Sequence, residues 1–564
     1  MMRPGQVLVL NTTAKRETGY QAQLRNINVG RETANVIRTC LGPRAMLKMI
    51  LNAMGSILIT NDGNSILREI DVTHPAARTI IQLSRSQDEE VGDGTTSVIV
   101  LAGEVLSVSQ ELLEKKLHPT IICGSYQRGL QAALHVCNLI SRKIDTDNKE
   151  EMFSLLRTTL GTKFASEWMD MMCKLAYEAV RKVTVRRKDR TDAPAEIDLK
   201  RYAKVEKIPG GSESQSEVLD GVMMNKDPTH PKMRRKIENP RIILLDCPLE
   251  YKKGESQTNA VITNENDWEA MLRAEEEEVK QMCDKIIALK PDIVITEKGL
   301  SDLASHYFLQ ANITSIRRIR KTDNNRIARA TGATIVHRPE ELKEADIGTE
   351  CGLFEVRKIG DDYFSYFVQC KDPKACSIIL RGASKDVLNE IERNLQDAMC
   401  VARNIMVNPR LLPGGGATEM AIAAYLAKTA AEEEGVAQWP RQSLSTAFEI
   451  IPKTLIENCG ANIIRTITEL RAKHHEMWTK VSGKEPLKED QPLWGINGNT
   501  GEIVDIRKTE IWEPFSVKTQ TFKSAIDSAC MLLRIDDIVS GVKKKAGDGE
   551  QHEPTEAELE EMAE

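Results

Sequence analysis

Gln87-Asp88-Glu89-Glu90-Val91-Gly92-Asp93-Gly94-Thr95-Thr96-Ser97 is the stretch on which the fold turns. A helical pattern beginning near Ala76 precedes it and the apolar run Val98-Ile99-Val100-Leu101 follows, so the glycines read as a tight loop opening a second helix. A phosphate needs backbone N–H donors in such a loop, with the positive end of a helix facing it. The glycines let the backbone approach closely, and Thr95, Thr96 and Ser97 add hydroxyl donors. Asp93 offers a hard oxygen ligand for magnesium. By itself, a Gly-Asp-Gly turn with helix-capping threonines is common and reads as structure alone.

Outward from the loop, other segments supply matching pieces. Leu24, Ile27, Ala34, Ile37 and Leu41 share one helical face, and Gly42-Pro43 should end that helix. Residues 47–51 and 56–60 read as a hairpin with Asn61-Asp62-Gly63 at its tip. Helical periodicity continues to about Ser141, returns with Leu388, Ile391, Leu395, Ala398, Ala402 and Ile405, and persists in segments to about Leu533, with Pro413-Gly414-Gly415-Gly416 interrupting it sharply. On that later helix Arg393 and Asp397 are four residues apart, away from the apolar stripe. Unaided, they read as a surface pair worth about 0.3–0.5 kcal/mol.

The middle of the chain has a different pattern. Residues 186–236 read as loops between short strands. Arg241-Ile242-Ile243-Leu244-Leu245-Asp246 and Asp292-Ile293-Val294-Ile295-Thr296 suit buried strands, and residues 265–289 a highly charged helix. An α/β block with its own core is therefore inserted into a chain that is helical on both sides. Residues from about 474 to 491, with Gly483, Pro486 and the adjoining Pro492, read as an exposed loop.

With 564 residues, 41% hydrophobic and 28% charged, several globular domains are expected. No apolar run approaches the roughly 18 residues of a membrane span. Val7-Leu8-Val9-Leu10 is too short for a signal peptide, so the expectation is a cytoplasmic protein without a membrane partner. A net charge of −6 and only 4% aromatics argue against nucleic acid. The 12 cysteines lie mostly singly in apolar segments, as reduced core thiols do. Cys370 and Cys376 flank a turn, where a hairpin would let them bridge, although reduced thiols are the better reading. The acid-rich stretch 541–564 reads as a disordered tail.

The chain lacks Gly-x-x-x-x-Gly-Lys-Ser/Thr and the His-Arg-Asp and Asp-Phe-Gly motifs of kinases. What it has instead is Leu41-Gly42-Pro43-Arg44, Thr60-Asn61-Asp62-Gly63-Asn64, the stretch 87–97, Arg381-Gly382-Ala383 and Pro413-Gly414-Gly415-Gly416-Ala417. Trp494-Gly495-Ile496-Asn497-Gly498, Trp512-Glu513-Pro514 and Leu533-Arg534-Ile535-Asp536-Asp537-Ile538 follow. In this order, over nearly the whole chain, these segments resemble the group II chaperonins. Residues 249–255, 321–326 and 370–376 resemble one subunit type of the eukaryotic cytosolic members.

That resemblance implies a multidomain α and α/β chaperonin fold. Residues 1–145 and 411–540 would form a helical equatorial domain, 146–213 and 378–410 a hinge-like intermediate domain, and 214–377 an α/β apical domain with a helical protrusion. It implies ATP/ADP and Mg2+ as cofactors, with Asp93 as the metal ligand and Asp62 and Asp397 as the catalytic pair positioning the attacking water. Gly42, Gly94, Thr95, Thr96, Ser97 and Gly415 would contact phosphates, Pro43 would join them in cofactor binding, and Thr162 and Lys163 would form the loop that senses the γ-phosphate. Gly495 would lie against the base, with Glu513 and Lys518 near the ribose. The implied partners are paralogous subunits in a hetero-oligomeric double ring of eight-membered rings, and unfolded clients such as actin and tubulin. Hydrolysis would close the folding chamber. Two other readings stand beside this one. The first is a small-molecule phosphotransferase, for which no acceptor motif is found. The second is a scaffold subunit that binds nucleotide with negligible turnover.

Overall fold

The helix Thr95–Glu114 that follows the glycine loop has 12 of its 20 residues buried, so neighbours surround it on most sides. The computed structural model describes residues 15–540 apart from 52–54, 56, 71, 164–167, 186–194, 252–264 and 481–490. The expected tail and parts of the loops read at 186–236 and 474–491 lie outside the described residues. Around the buried helix pack Tyr20–Arg38, Pro75–Glu90 and Pro119–Ile140 from early in the chain, and Gln438–Phe448, Ile450–Cys459 and Phe515–Leu533 from late in it. Ala417–Glu432 lies behind them against Gln438–Phe448 and Pro119–Ile140. Phe448 and Phe522 meet edge to face at 5.2 Å inside this shared core. The strands Lys15–Thr18 and Asp537–Ser540 pair antiparallel, so the two ends of the described chain are held together. An 18-residue window of the central helix reaches a mean hydropathy of 1.4, enough for a membrane span, but 67% of it is buried within the protein. Glu104 and the neighbouring serines break it into short apolar runs, which is why the sequence shows no long one.

Helix Tyr20–Arg38 ends four residues before Gly42, with Cys40 N–H turning back to the Ile37 carbonyl at 2.9 Å. Gly42-Pro43 therefore lies in the loop beyond and does not itself end the helix.

A second core holds the helices Lys149–Leu160, Met169–Val183 and Lys385–Val407. Beside them strand Cys376–Gly382 runs parallel to Ala203–Pro209 and antiparallel to Glu217–Val218. Between these crossings the chain builds the α/β unit. Its parallel sheet has the order Thr314–Ile316, Ile293–Thr296, Ile242–Leu245, Ile335–Val336. Side-chain alternation divides those strands between two faces. Ile242, Leu244, Ile293 and Ile295 meet Phe354 and Phe367 of an antiparallel sheet, whereas Ile243, Leu245 and Val294 meet Val279, Cys283 and Ile286 of helix Glu265–Ala288. Burial on both faces explains the unbroken apolar runs of the sequence.

Strands Asp362–Val368 and Cys376–Gly382 belong to different sheets, so no hairpin sets Cys370 opposite Cys376. All 12 cysteines are free thiols, and that of Cys376 points to the Ala179 carbonyl.

Helix Ile463–Lys480 runs into the stretch expected to be an exposed loop. His474 is fully buried with Nε2 2.8 Å from the Trp494 carbonyl, and Trp478 donates its indole N–H to Ala421 O at 2.9 Å. Burial lowers the His474 pKa from 6.5 to about 4. The unfolded chain takes up this proton at the higher pH. The contribution of a neutral His474 is thus complete above pH 6.5 and is lost as pH falls towards 4, about 3 kcal/mol in total. Urea midpoints measured across that window should fall more steeply for the wild type than for His474→Gln, and equal slopes would reject the assignment.

Candidate active site

Residues 91–94 turn the chain between helices Pro75–Glu90 and Thr95–Glu114. Gly94 occupies the N-cap position at φ +77°, and no side chain caps the helix. Its first turn, Thr95 to Ser97, lines a cavity of about 330 Å³, so the unpaired N–H groups of a helix start are available there to an anion. Gly92 is at φ +71°, and a Cβ on it would stand 2.4 Å from Cβ of Cys400, where the loop meets helix Lys385–Val407. Arg403 and Asn404 of the same helix donate to the carbonyls of Glu90 and Val91 at 2.6 and 2.8 Å, fastening helix and loop together. The Asp93 carboxylate accepts the Gly94 N–H at 2.7 Å. Buried Gln87 donates to the Asp93 carbonyl at 3.1 Å and to Thr521 at 3.2 Å, fixing the loop to the C-terminal helix.

Asp62 is not at a hairpin tip. The strands Lys48–Leu51 and Ile57–Thr60 pair antiparallel, and Asp62 follows the second as the N-cap of helix Gly63–Glu69. Its oxygens accept the Asn64 and Ser65 N–H groups at 3.4 and 2.9 Å and the Thr95 hydroxyl at 3.0 Å. Burial works against its charge, but Lys163 and these donors outweigh burial and hold the carboxyl below its ordinary value.

The surface-pair reading of Asp397 is overturned. Arg393 lies 3.4 Å from Glu390, while Asp397 is 2.8 Å from Lys163, the two side chains being 15% and 12% exposed. Burial pushes Asp397 up to about 8 against the pull of Lys163, with Asp62 and Asp93 adding repulsion. Burial also disfavours the charge on Lys163, but Asp397, Asp62 and Asp93 together more than restore it and raise its pKa. One ammonium thus faces three acidic side chains, of which Asp397 holds its proton longest, and a divalent cation would favour the charged form of the group. Among the described residues no ready-made group of three His, Cys, Asp or Glu ligands is present. Magnesium is usually held by one or two carboxylates together with substrate phosphates, which this arrangement allows.

Of the residues expected at the site, all but Asp62, Asp397 and Gly495 line the cavity. Asp62 and Asp397 approach it through Lys163. Within strand Trp494–Ile496, Gly495 backs onto Ile506 and Ala417. A Cβ there would stand 2.7 Å from Ile506, while Ile496, Asn497 and Gly498 face the cavity. In another part of the wall Lys518, 5% exposed, is gripped by Glu419, 1% exposed, and lies 3.0 Å from Glu513.

Glu419 was not found from the sequence. It is the only charged residue between Gly416 and Ala427, and such an isolated acid in an apolar helix needs a cation. Nothing local names Lys518 as that cation. Asn61 was also missed. Its amide donates to the Thr162 carbonyl at 2.9 Å, and its buried Oδ1 has no partner and belongs to a residue that lines the cavity.

The family model described as the TCP-1/cpn60 chaperonin family matches residues 33–543. T-complex protein 1 subunit gamma of Schizosaccharomyces pombe is 58% identical over 538 residues, covering 95% of this chain and 99% of that protein. The proteins of the same name from Arabidopsis thaliana and Bos taurus are 56% and 55% identical, over 96% and 97% of this chain and 95% and 98% of their own lengths. With identity of this level over nearly its whole length and a family match to most of it, the chain belongs to the TCP-1/cpn60 chaperonin family.

Proposed function

We propose that this chaperonin subunit binds Mg-ATP in the cavity beside residues 92–97 and hydrolyses it to close a folding chamber. The observation carrying the reading is an uncapped helix start facing the same cavity as Lys163, a lysine held by Asp397. The N–H groups and hydroxyls of Thr95, Thr96 and Ser97 cradle phosphate oxygens, and the Lys163 ammonium meets the γ-phosphate. Magnesium, on Asp93 and the phosphates, would supply the positive charge that lets a polyanion enter among carboxylates. Asp62, fixed by its capping bonds, and Asp397, fixed by Lys163, orient the attacking water. Phosphoryl transfer depends mainly on such positioning and on charge. Gly42, Pro43 and Gly415 complete the phosphate wall, Thr162 backs the sensing loop, and Glu513 with Lys518 serves the ribose side.

In this reading residues 1–145 and 411–540 are the equatorial domain, 146–213 and 378–410 the intermediate domain and 214–377 the apical domain, with helix Glu265–Ala288 belonging to the protrusion. Paralogous subunits complete a double ring of eight-membered rings in the cytoplasm, and its clients include actin and tubulin. Calorimetric titration of the full-length assembled protein should show ATP binding that chelation of magnesium suppresses, and phosphate release should follow. Binding indifferent to magnesium, or a functional monomer by native mass, would sink the proposal.

A further inference from the structure

Helices Pro119–Ile140 and Phe515–Leu533 lie together in the first core, and Cys123 of one meets Cys530 of the other. Cys123 Sγ donates to the Cys530 carbonyl oxygen at 3.5 Å, so the two cysteines are in contact across the helix pair. Both cysteines line an open cavity of about 770 Å³, together with Met531 and Arg534. Cys351 and Cys370 form another adjacent pair, but only Cys351 lines a cavity described for that region. Neither Cys123 nor Cys530 belongs to the wall of the nucleotide cavity, so their proximity is not explained by hydrolysis.

We propose that Cys123 and Cys530 are a peroxide-reactive dithiol that closes to a disulfide joining the two helices. Both cysteines line the cavity beside Arg534, whose charge favours a thiolate there, so either can attack and the other resolve. Where Cys123 attacks first, its thiolate takes one oxygen of hydrogen peroxide and the O–O bond breaks. Hydroxide leaves and takes the thiol's proton as water, and Cys123 becomes a sulfenic acid. The Cys530 sulfur then attacks the Cys123 sulfur, the S–O bond breaks, and a second water carries away the Cys530 proton. The two thiols lose two electrons and the peroxide gains them. The open cavity admits the oxidant, and the contact between the cysteines favours disulfide closure over further oxidation of the sulfenic acid.

The test treats the full-length chain with hydrogen peroxide, alkylates the remaining thiols and maps the peptides by mass. A peptide pair joined through Cys123 and Cys530, two hydrogens lighter and separated by dithiothreitol, is expected. Cys530→Ser and Cys123→Ser should each lose the cross-link, with the remaining cysteine stopping at a sulfenic acid trapped by dimedone. If either variant fails to fold, the wild-type map decides the matter alone. Oxidised protein in which both thiols still alkylate after unfolding, or in which either cysteine reaches the sulfinic acid without the cross-link, overturns the proposal.

Discussion

Asp397→Ala is expected to keep ATP binding while turnover falls about 10²–10⁴-fold, the range that a positioned acid–base group supplies. Binding should survive because Asp397 is not in the cavity wall, so its removal leaves the phosphate cradle intact. The fold should survive too. Lys163 retains Asp62 and Asp93 as counter-charges, and alanine suits the helical position. Asp397→Asn is the sharper companion, since it keeps the shape and removes the group's ability to gain or lose a proton. Single-turnover phosphate release in assembled particles separates this step from binding. A wild-type rate in either variant would remove Asp397 from the chemistry and return it to a purely structural partnership with Lys163.

Lys518→Met should be the most damaging of the cavity substitutions to folding. It leaves Glu419 almost fully buried without a cation, and Glu513 loses the same partner. Breaking one side of such a pair typically costs about 3–5 kcal/mol, because a lone buried charge remains. Glu419→Gln added to Lys518→Met removes that charge, and the double variant should regain much of the lost urea midpoint. Equal midpoints for the single and double variants would show that the loss comes from packing and not from charge.

The loop at 92–97 was legible because its requirements are local: glycines where the backbone must turn, hydroxyls at the start of a helix, one carboxylate beside them. The inserted α/β unit was legible for the same reason, since Ile242 to Leu245 and Ile293 to Thr296 announce burial on both faces. Pairings between distant segments were not. Asp397 has an obvious local partner in Arg393, and only the fold brings Lys163 to it. Glu419 and Lys518 are 99 residues apart and nothing in either segment names the other. Around His474, glycine and prolines downstream suggested a loop, and the apolar contacts of Trp478 that carry the helix to Lys480 outweighed that signal. Gly495 came from the family pattern; within its strand it backs onto Ile506 and Ala417, and the residues that follow it, Ile496, Asn497 and Gly498, line the cavity.

The bonds from Arg403 and Asn404 to the carbonyls of Glu90 and Val91 tie the helix leaving the α/β unit to the loop that starts the cavity. Suppose ATP favours one placement of that helix. Any ligand of the α/β unit that favours the same placement must then tighten ATP binding by the factor by which ATP tightens its own. A cargo held by the α/β unit and the nucleotide at the opposite end of the helix are then two effectors of one equilibrium, and each can be measured through the other.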